Sequence, residues 1–242
     1  MDDSSRETAA GAAELAARID HTLLAAGATP AAIERLCEEA LAHGFANVCV
    51  AGTHVARCAE ALSGSGVGVV AVAGFPLGNA ATAVKVFETA RAADDGATEV
   101  DVVAALGRLL ADDDRAVLAE LEEVVLSASA LDARVKVILE TGLLDPDRIA
   151  RGCRLARSAG AEFVKTSTGF GPRGATVEDV RLMRATVGSE MGVKAAGGIR
   201  DAATARALLE AGADRLGCSA SLAVIGVADS NPKSGQNPPG AA

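Results

Sequence analysis

The sequence predicts an α/β chain folded as a single-domain (β/α)8 TIM barrel, and three observations lead there. Short Val- and Ile-rich runs alternate with amphipathic, Ala-rich stretches along the chain, the pattern of repeated βα units around a parallel sheet. Eight such pairs occur, the number that closes a barrel. Polar residues gather at the carboxyl ends of many strands, whereas a doubly wound open sheet concentrates them at one switch point.

The first strand is predicted over Ile19–Leu24 and the helix after it over Pro30–Ala42. Thr29 supplies a capping side chain before a proline whose φ already suits a first helical turn, and Gly44 ends the helix. Asn47–Ala51 pairs with His54–Ser63, Gly68–Gly74 with Thr82–Asp94, and Glu99–Val103 with one long helix over Arg108–Leu131. Val135–Thr141 is followed by a helix over Pro146–Ala159, where Asp145-Pro146 repeats the capping signal and Gly160 stops it. Then come Phe163–Ser167 with Val177–Val187, Gly192–Ala196 with Ala202–Ala211 before Gly212, and Arg215–Cys218 with a short helix from Ser219. An Ala-rich stretch, Thr8–Arg18, predicts a helix covering the barrel floor. The barrel domain is expected over residues 1–228. Residues 229–242, rich in Pro, Gly, Asn, Ser and Gln without apolar periodicity, are expected to form a disordered tail.

Half the residues are apolar and only 2% aromatic, so the core is expected to be built of Ala, Val and Leu. A net charge of -9 argues against nucleic acid or an anionic membrane as the main partner, because both need a concentrated basic surface. It leaves room for a small anionic substrate at a locally positive site. The acidic start, Met1-Asp2-Asp3-Ser4-Ser5, lacks the basic and apolar regions of a secretory signal, and no apolar run reaches transmembrane length, so the expected location is the cytoplasm. Five scattered cysteines without a CxxC pair suit reduced thiols. His54 and Cys58, four apart on a helix, could supply half a metal site; nothing nearby completes it, and neither metal nor organic cofactor is expected.

Charged residues inside barrel strands carry the most information, because side chains near the strands' carboxyl ends point into the site. Asp20, Asp101, Lys136, Glu140, Lys165 and Lys194 fall in such positions. Burying an ammonium in the run Phe163-Val164-Lys165 costs several kcal/mol unless it is paired or neutralised. Burial and a second cation, Lys194 on the next strand, both lower the pKa of Lys165, and a neutral lysine amine attacks carbonyls. Two lysines and a carboxylate then read as Schiff-base chemistry: Lys165 attacks, Lys194 tunes it and Asp101 moves protons. The alternative stays open that the lysines only pair with Asp101 or Glu140 and hold the barrel together. Lys136 lies near the start of its strand, is expected to face the floor or pair internally, and is assigned no role.

Gly169, Gly197-Gly198 and Gly217-Cys218-Ser219 follow strands six, seven and eight, where barrels commonly bind phosphate. Their backbone N–H groups can approach an anion closely, and a helix starting at Ser219 would aim its positive end at the same point. Gly169-Phe170-Gly171-Pro172-Arg173-Gly174 formally matches GxGxxG, but Pro172 removes a donor and the helix begins only after the motif, which argues against a dinucleotide loop.

Taken together, Ile19-Asp20-His21-Thr22-Leu23-Leu24, Asn47-Val48-Cys49-Val50, Gly74-Phe75-Pro76-Leu77-Gly78, Glu99-Val100-Asp101-Val102-Val103, Glu140-Thr141-Gly142, Phe163 through Phe170 and Val193 through Arg200 resemble the motifs of the deoxyribose-phosphate aldolases. The resemblance runs in order over roughly residues 15 to 225. It implies a class I aldolase of deoxynucleoside breakdown that reversibly cleaves 2-deoxy-D-ribose 5-phosphate to D-glyceraldehyde 3-phosphate and acetaldehyde without a cofactor. It also implies that Lys165 is the Schiff-base lysine, that Asp101 and Lys194 form the proton relay, that Asp20, Thr22 and Cys49 line the pocket, and that the chain forms a homodimer. Thr168, Gly169, Gly197, Gly198 and Ser219 are the expected remaining contacts to substrate. Three departures stand out. Gly217-Cys218-Ser219-Ala220 carries one serine where many members carry two, Val50-Ala51-Gly52 replaces Val-Asn-Pro, and no tyrosine exists to serve as a C-terminal one. The competing readings are a Schiff-base barrel aldolase with another substrate and a catalytically silent sugar-phosphate-binding barrel.

Overall fold

The structure is a computed structural model that describes residues 11–227. Strands β1 (Ile19–Leu23), β2 (Asn47–Val50), β3 (Gly68–Ala73), β4 (Glu99–Val103), β5 (Arg134–Ile138), β6 (Phe163–Lys165), β7 (Gly192–Ala196) and β8 (Arg215–Cys218) pair in parallel in chain order. β8 returns to β1 and closes the barrel.

Helices α1 (Pro30–His43), α2 (Val55–Ala61), α3 (Thr82–Asp94), α4 (Leu106–Leu110), α5 (Asp114–Ser129), α6 (Pro146–Ser158), α7 (Val177–Val187), α8 (Ala202–Glu210) and α9 (Ser221–Val224) connect and follow the strands. The predicted caps form: Thr29 accepts from the Ala32 N–H and Asp145 from the Arg148 N–H, while Gly44 takes the left-handed conformation that ends α1. Val, Leu, Ile and Ala side chains fill the core between strands and helices.

Residues 11–16 are helical, with Leu15 and Ala16 buried. Ala46 donates to the Ala16 carbonyl at 3.2 Å and Leu216 to that of Arg18 at 2.8 Å, which ties this segment to the amino-terminal ends of β2 and β8, the barrel floor. Residues 8–10 of the expected floor helix, and the expected tail over 229–242, lie outside the described residues.

Two helix expectations are corrected. Arg108–Leu131 is not one helix but α4 and α5, because Asp112 takes a left-handed conformation (φ 59°) and Asp113 caps α5 by accepting from the Ala116 N–H. Short acidic side chains compete for local backbone donors, so this acidic run makes a break and a cap instead of a helix interior. The last helix starts at Ser221, two residues later than expected, and is only four residues long. Strands five and six stop earlier than expected, yet their ladders continue: Leu139 donates to the Lys165 carbonyl at 3.0 Å and Thr141 to that of Thr166 at 2.9 Å.

Register decides which side chains share the interior, because partners across a parallel ladder point to the same face. Asp20 is opposite Asn47, Thr22 opposite Cys49, Asp101 opposite Lys136, Ile138 opposite Lys165, and Lys165 opposite Lys194. Lys136 therefore faces the same interior as Lys165, two residues earlier along β5 than its partner Ile138.

Candidate active site

The three predicted catalytic residues converge. Lys165 ends β6, and its Nζ donates to Asp101 Oδ2 at 2.8 Å; Lys194, beside it on β7, donates to the same oxygen at 2.6 Å. Both lysines and the carboxylate are buried, with Lys165 alone retaining slight exposure, 3%, at the mouth side. Lys194 also donates to Asp20 Oδ2 at 2.5 Å. It thus touches two carboxylates, whereas the one ion-pair partner of Lys165 among the described residues is the shared Asp101 oxygen.

This difference sets the two amines apart. Burial pushes Lys165 below the ordinary lysine range; Asp101 opposes that and the Lys194 charge adds to it. Lys194 is equally buried, but Asp101 and Asp20 more than offset the burial and hold its pKa above the ordinary value. For Asp101 burial alone would favour the neutral acid, yet Lys136, Lys165 and Lys194 hold it well below the usual carboxylate range. The two neighbouring amines are thus shifted in opposite directions, the kind of divergence that separates a nucleophile from its electrostatic partner.

Asp20, expected to line the pocket, sits in the barrel interior against Lys194. It is fully buried, accepts from Asn47 Nδ2 at 2.6 Å and Arg215 Nη1 at 2.7 Å on one oxygen, and holds Lys194 with the other. Along β1 it precedes Thr22 by one inward step; Thr22 is half-buried, and its hydroxyl donates to the Asp20 carbonyl at 2.9 Å. Cys49, opposite Thr22, is fully buried and its thiol is pushed upward by burial, so it presents a neutral S–H.

Sequence reasoning missed the lower half of this cluster. Lys136 takes the internal-pairing branch of its expectation: its Nζ donates to Asp101 Oδ1 at 2.9 Å, is paired with Glu99, and lies 5.9 Å from the Phe163 ring centre. Glu99, Asn47 and Arg215 complete the layer. The available signal was the alternation of Glu99 and Asp101 on β4 with Arg134 and Lys136 on β5, which places like parity opposite like parity.

At the mouth, Thr168 donates its backbone N–H to Glu140 Oε2 at 3.2 Å and its hydroxyl to the same oxygen. Glu140 itself is buried in a left-handed conformation (φ 51°) just past β5. Gly169 and Gly197 both take positive φ, and a Cβ on Gly197 would lie 3.5 Å from the Gly169 Cα, so the loops after β6 and β7 meet. Gly198 is exposed beside them, also at positive φ. The GxGxxG match has a packing explanation: a Cβ on Gly171 would strike the Glu140 carboxyl at 2.6 Å, and one on Gly174 the Gly197 carbonyl at 2.1 Å. Ser219 is exposed in the loop after β8, and Ala220 occupies the N-cap position of α9 without a side-chain cap. Because α9 is a single turn, the helix-dipole contribution expected there shrinks.

All five cysteines are free and buried. Among the described residues no group of three or more His, Cys, Asp and Glu side chains is arranged to hold a metal ion, and no helix is long and apolar enough to cross a membrane. A surface cavity of about 560 Å³ among Asp112, Asp145, Arg148 and Arg151 contains none of the inward-facing strand residues.

A closed βα barrel whose interior lysines converge on one carboxylate has the architecture of a barrel aldolase. Comparison with known proteins narrows that class. The sequence model of the DeoC/LacD family aldolases matches residues 15–228. A deoxyribose-phosphate aldolase from Alkaliphilus oremlandii is 50% identical over 211 residues, 87% of this chain and 95% of its own. Another, from Aciduliprofundum boonei, is 50% identical over 214 residues, covering 88% and 96%. Among solved structures, the tetrameric deoxyribose phosphate aldolase of Aeropyrum pernix superposes with a TM-score of 0.83 at 34% identity, covering 92% of this chain and 97% of that one. The chain belongs to the DeoC/LacD aldolase family.

Proposed function

We propose that the chain is a deoxyribose-phosphate aldolase that reversibly cleaves 2-deoxy-D-ribose 5-phosphate to D-glyceraldehyde 3-phosphate and acetaldehyde, with Lys165 as the covalent nucleophile. The observation that carries this reading, within the family, is the Asp101 oxygen shared by a slightly exposed lysine and a fully buried one. The neutral amine of Lys165 attacks the C1 carbonyl of the open-chain sugar, and loss of water gives a protonated imine. The C3 hydroxyl gives up its proton, the C2–C3 bond breaks, and its electron pair moves into the imine to form an enamine. Glyceraldehyde 3-phosphate departs, C2 is reprotonated, and water releases acetaldehyde. Asp101 and Lys194 pass the protons, and the lasting charge on Lys194 keeps Lys165 neutral.

Thr22, Cys49 and Thr168 surround the sugar, while backbone N–H groups of Gly169, Gly197 and Gly198 with Ser219 hold the phosphate. Asp20 acts from beneath by fixing Lys194. The chain works as a cytoplasmic homodimer, with exposed apolar side chains such as Phe87 and Leu126 available for association; light scattering of the purified protein tests that assembly. The activity is tested by following glyceraldehyde 3-phosphate release from 2-deoxyribose 5-phosphate in the presence of a metal chelator, with unphosphorylated deoxyribose and ribose 5-phosphate as comparators. Cleavage of the deoxyribose phosphate that persists in chelator is expected. Turnover of a different phosphorylated sugar alone, or activity lost to chelator and restored by zinc, would contradict the assignment.

A further inference from the structure

The charges facing the barrel interior come from nearly every strand. β1 supplies Asp20, β4 Glu99 and Asp101, β5 Lys136, β6 Lys165, β7 Lys194 and β8 Arg215. β2 adds the Cys49 thiol and the neutral Asn47, and β3 places Val70 and Val72 opposite Glu99 and Asp101. Arg134 reaches Glu99 from a half-exposed position, where water screens it; Glu140, past the end of β5, accepts from Thr168 on Oε2, has no partner for Oε1 among the described residues and forms no ion pair with these lysines. Three fully buried carboxylates, Asp20, Glu99 and Asp101, therefore meet three cations, Lys136, Lys194 and Arg215, before Lys165 is counted.

The contacts also rank the lysines. Lys194 touches Asp20 and Asp101, and Lys136 touches Glu99 and Asp101 with the Phe163 ring close by. Lys165 has only half of one shared carboxylate. In a poorly solvated cluster the cation with the fewest anionic contacts is the one that costs most to keep charged.

We propose that Lys136 is the counter-cation that frees Lys165: by occupying Asp101 Oδ1 and Glu99 it balances the interior carboxylates and leaves Lys165 as the surplus cation, the first to lose its proton. Lys136 contacts no substrate in this account. It is a positioning residue that acts through Asp101, and the inference rests on Lys165 being the nucleophile. Removing it leaves the carboxylates one cation short, and Lys165 then holds its proton to fill the deficit. Removing the charge of Glu99 does the reverse.

The test compares the pH dependence of kcat/KM, and of acetaldehyde trapping at Lys165 by borohydride, in wild type, Lys136→Met, Lys136→Arg and Glu99→Gln. Lys136→Met should move the acid limb of both profiles to higher pH by about one unit or more, with activity recovering on the alkaline side. Lys136→Arg should leave the limb in place, and Glu99→Gln should move it to lower pH. If Lys136→Met does not fold, the downward shift in Glu99→Gln still decides the matter. A purely structural role predicts lower rates at every pH with the limb unmoved, and unmoved limbs or shifts in the same direction for both neutralising variants overturn the proposal. Absence of trapping at Lys165 in the wild type would instead remove the nucleophile assignment beneath it.

Discussion

At the scale of the residue, the barrel interior gives two chemically identical side chains different surroundings. Lys165 and Lys194 are partners across β6 and β7 and share one carboxylate oxygen, but only Lys194 has a second carboxylate, Asp20. Lys194→Leu removes a cation from beside Lys165 and leaves Asp101 and Asp20 with negative charge that Lys165 must answer. The pKa of Lys165 then rises, so the neutral amine is populated only at higher pH and the acid limb of the rate profile moves up, each unit being about 1.4 kcal/mol between protonation states. An unchanged profile and rate in this variant would show that the two amines are not coupled. Lys165 was legible in the sequence because an ammonium inside Phe163-Val164-Lys165 has no cheap structural explanation. Lys136 looked similar but was not legible as part of the site, since Val135-Lys136-Val137 gives its parity and not what stands across the ladder. Only the register with Asp101 brings its long side chain into the cluster.

At the scale of the element, the loops after β6, β7 and β8 are the ones proposed to hold the substrate, and glycines let those after β6 and β7 pack closely. Gly174 lies on the Gly197 carbonyl, and Ala175 donates to the Ala196 carbonyl at 3.0 Å, so the loop after β6 folds back onto the end of β7. The glycine pattern was visible in the sequence, and the missing capping side chains that would open a helix at Ser219 were harder to weigh. Ala220 offers no side-chain cap, and Ser221 spends its hydroxyl on the Cys218 carbonyl and on His21, which leaves a single turn. Ala220→Ser places a hydroxyl beside the loop proposed to hold the phosphate. A hydrogen bond to a charged group contributes ~1.5–3 kcal/mol, and water already supplies part of it, so KM for 2-deoxyribose 5-phosphate should fall by about tenfold or less. Turnover of unphosphorylated deoxyribose should stay nearly constant. An equal change for both substrates would move position 220 away from the phosphate.

At the scale of the whole molecule, the barrel surrounds a core that is apolar towards the helices and ionic along part of its axis. The outer core was the easy part to read: Val- and Ile-rich strands at regular intervals, helices opened by Thr29 and Asp145, and eight repeats leave few other closed arrangements. The axial charges were read only in part, because strand pattern alone says which residues point inward and not how deep they lie. Asp20 shows the difference: the closure of β8 onto β1 brings Arg215 and Lys194 onto its carboxylate, contacts that the β1 pattern alone does not reveal. A buried cluster of this kind is costly to assemble, and breaking one pair within it costs about 3–5 kcal/mol. The proposed role of holding one amine neutral gives such a cluster a purpose, which the catalytically silent barrel does not.

The most direct test of that claim is to incubate the full chain with acetaldehyde and borohydride at neutral pH and to map the reduced adduct by peptide mass spectrometry. A single ethyl adduct on Lys165, absent from Lys136 and Lys194, is the predicted result. An adduct on Lys194 alone, or none on any lysine, would contradict the account.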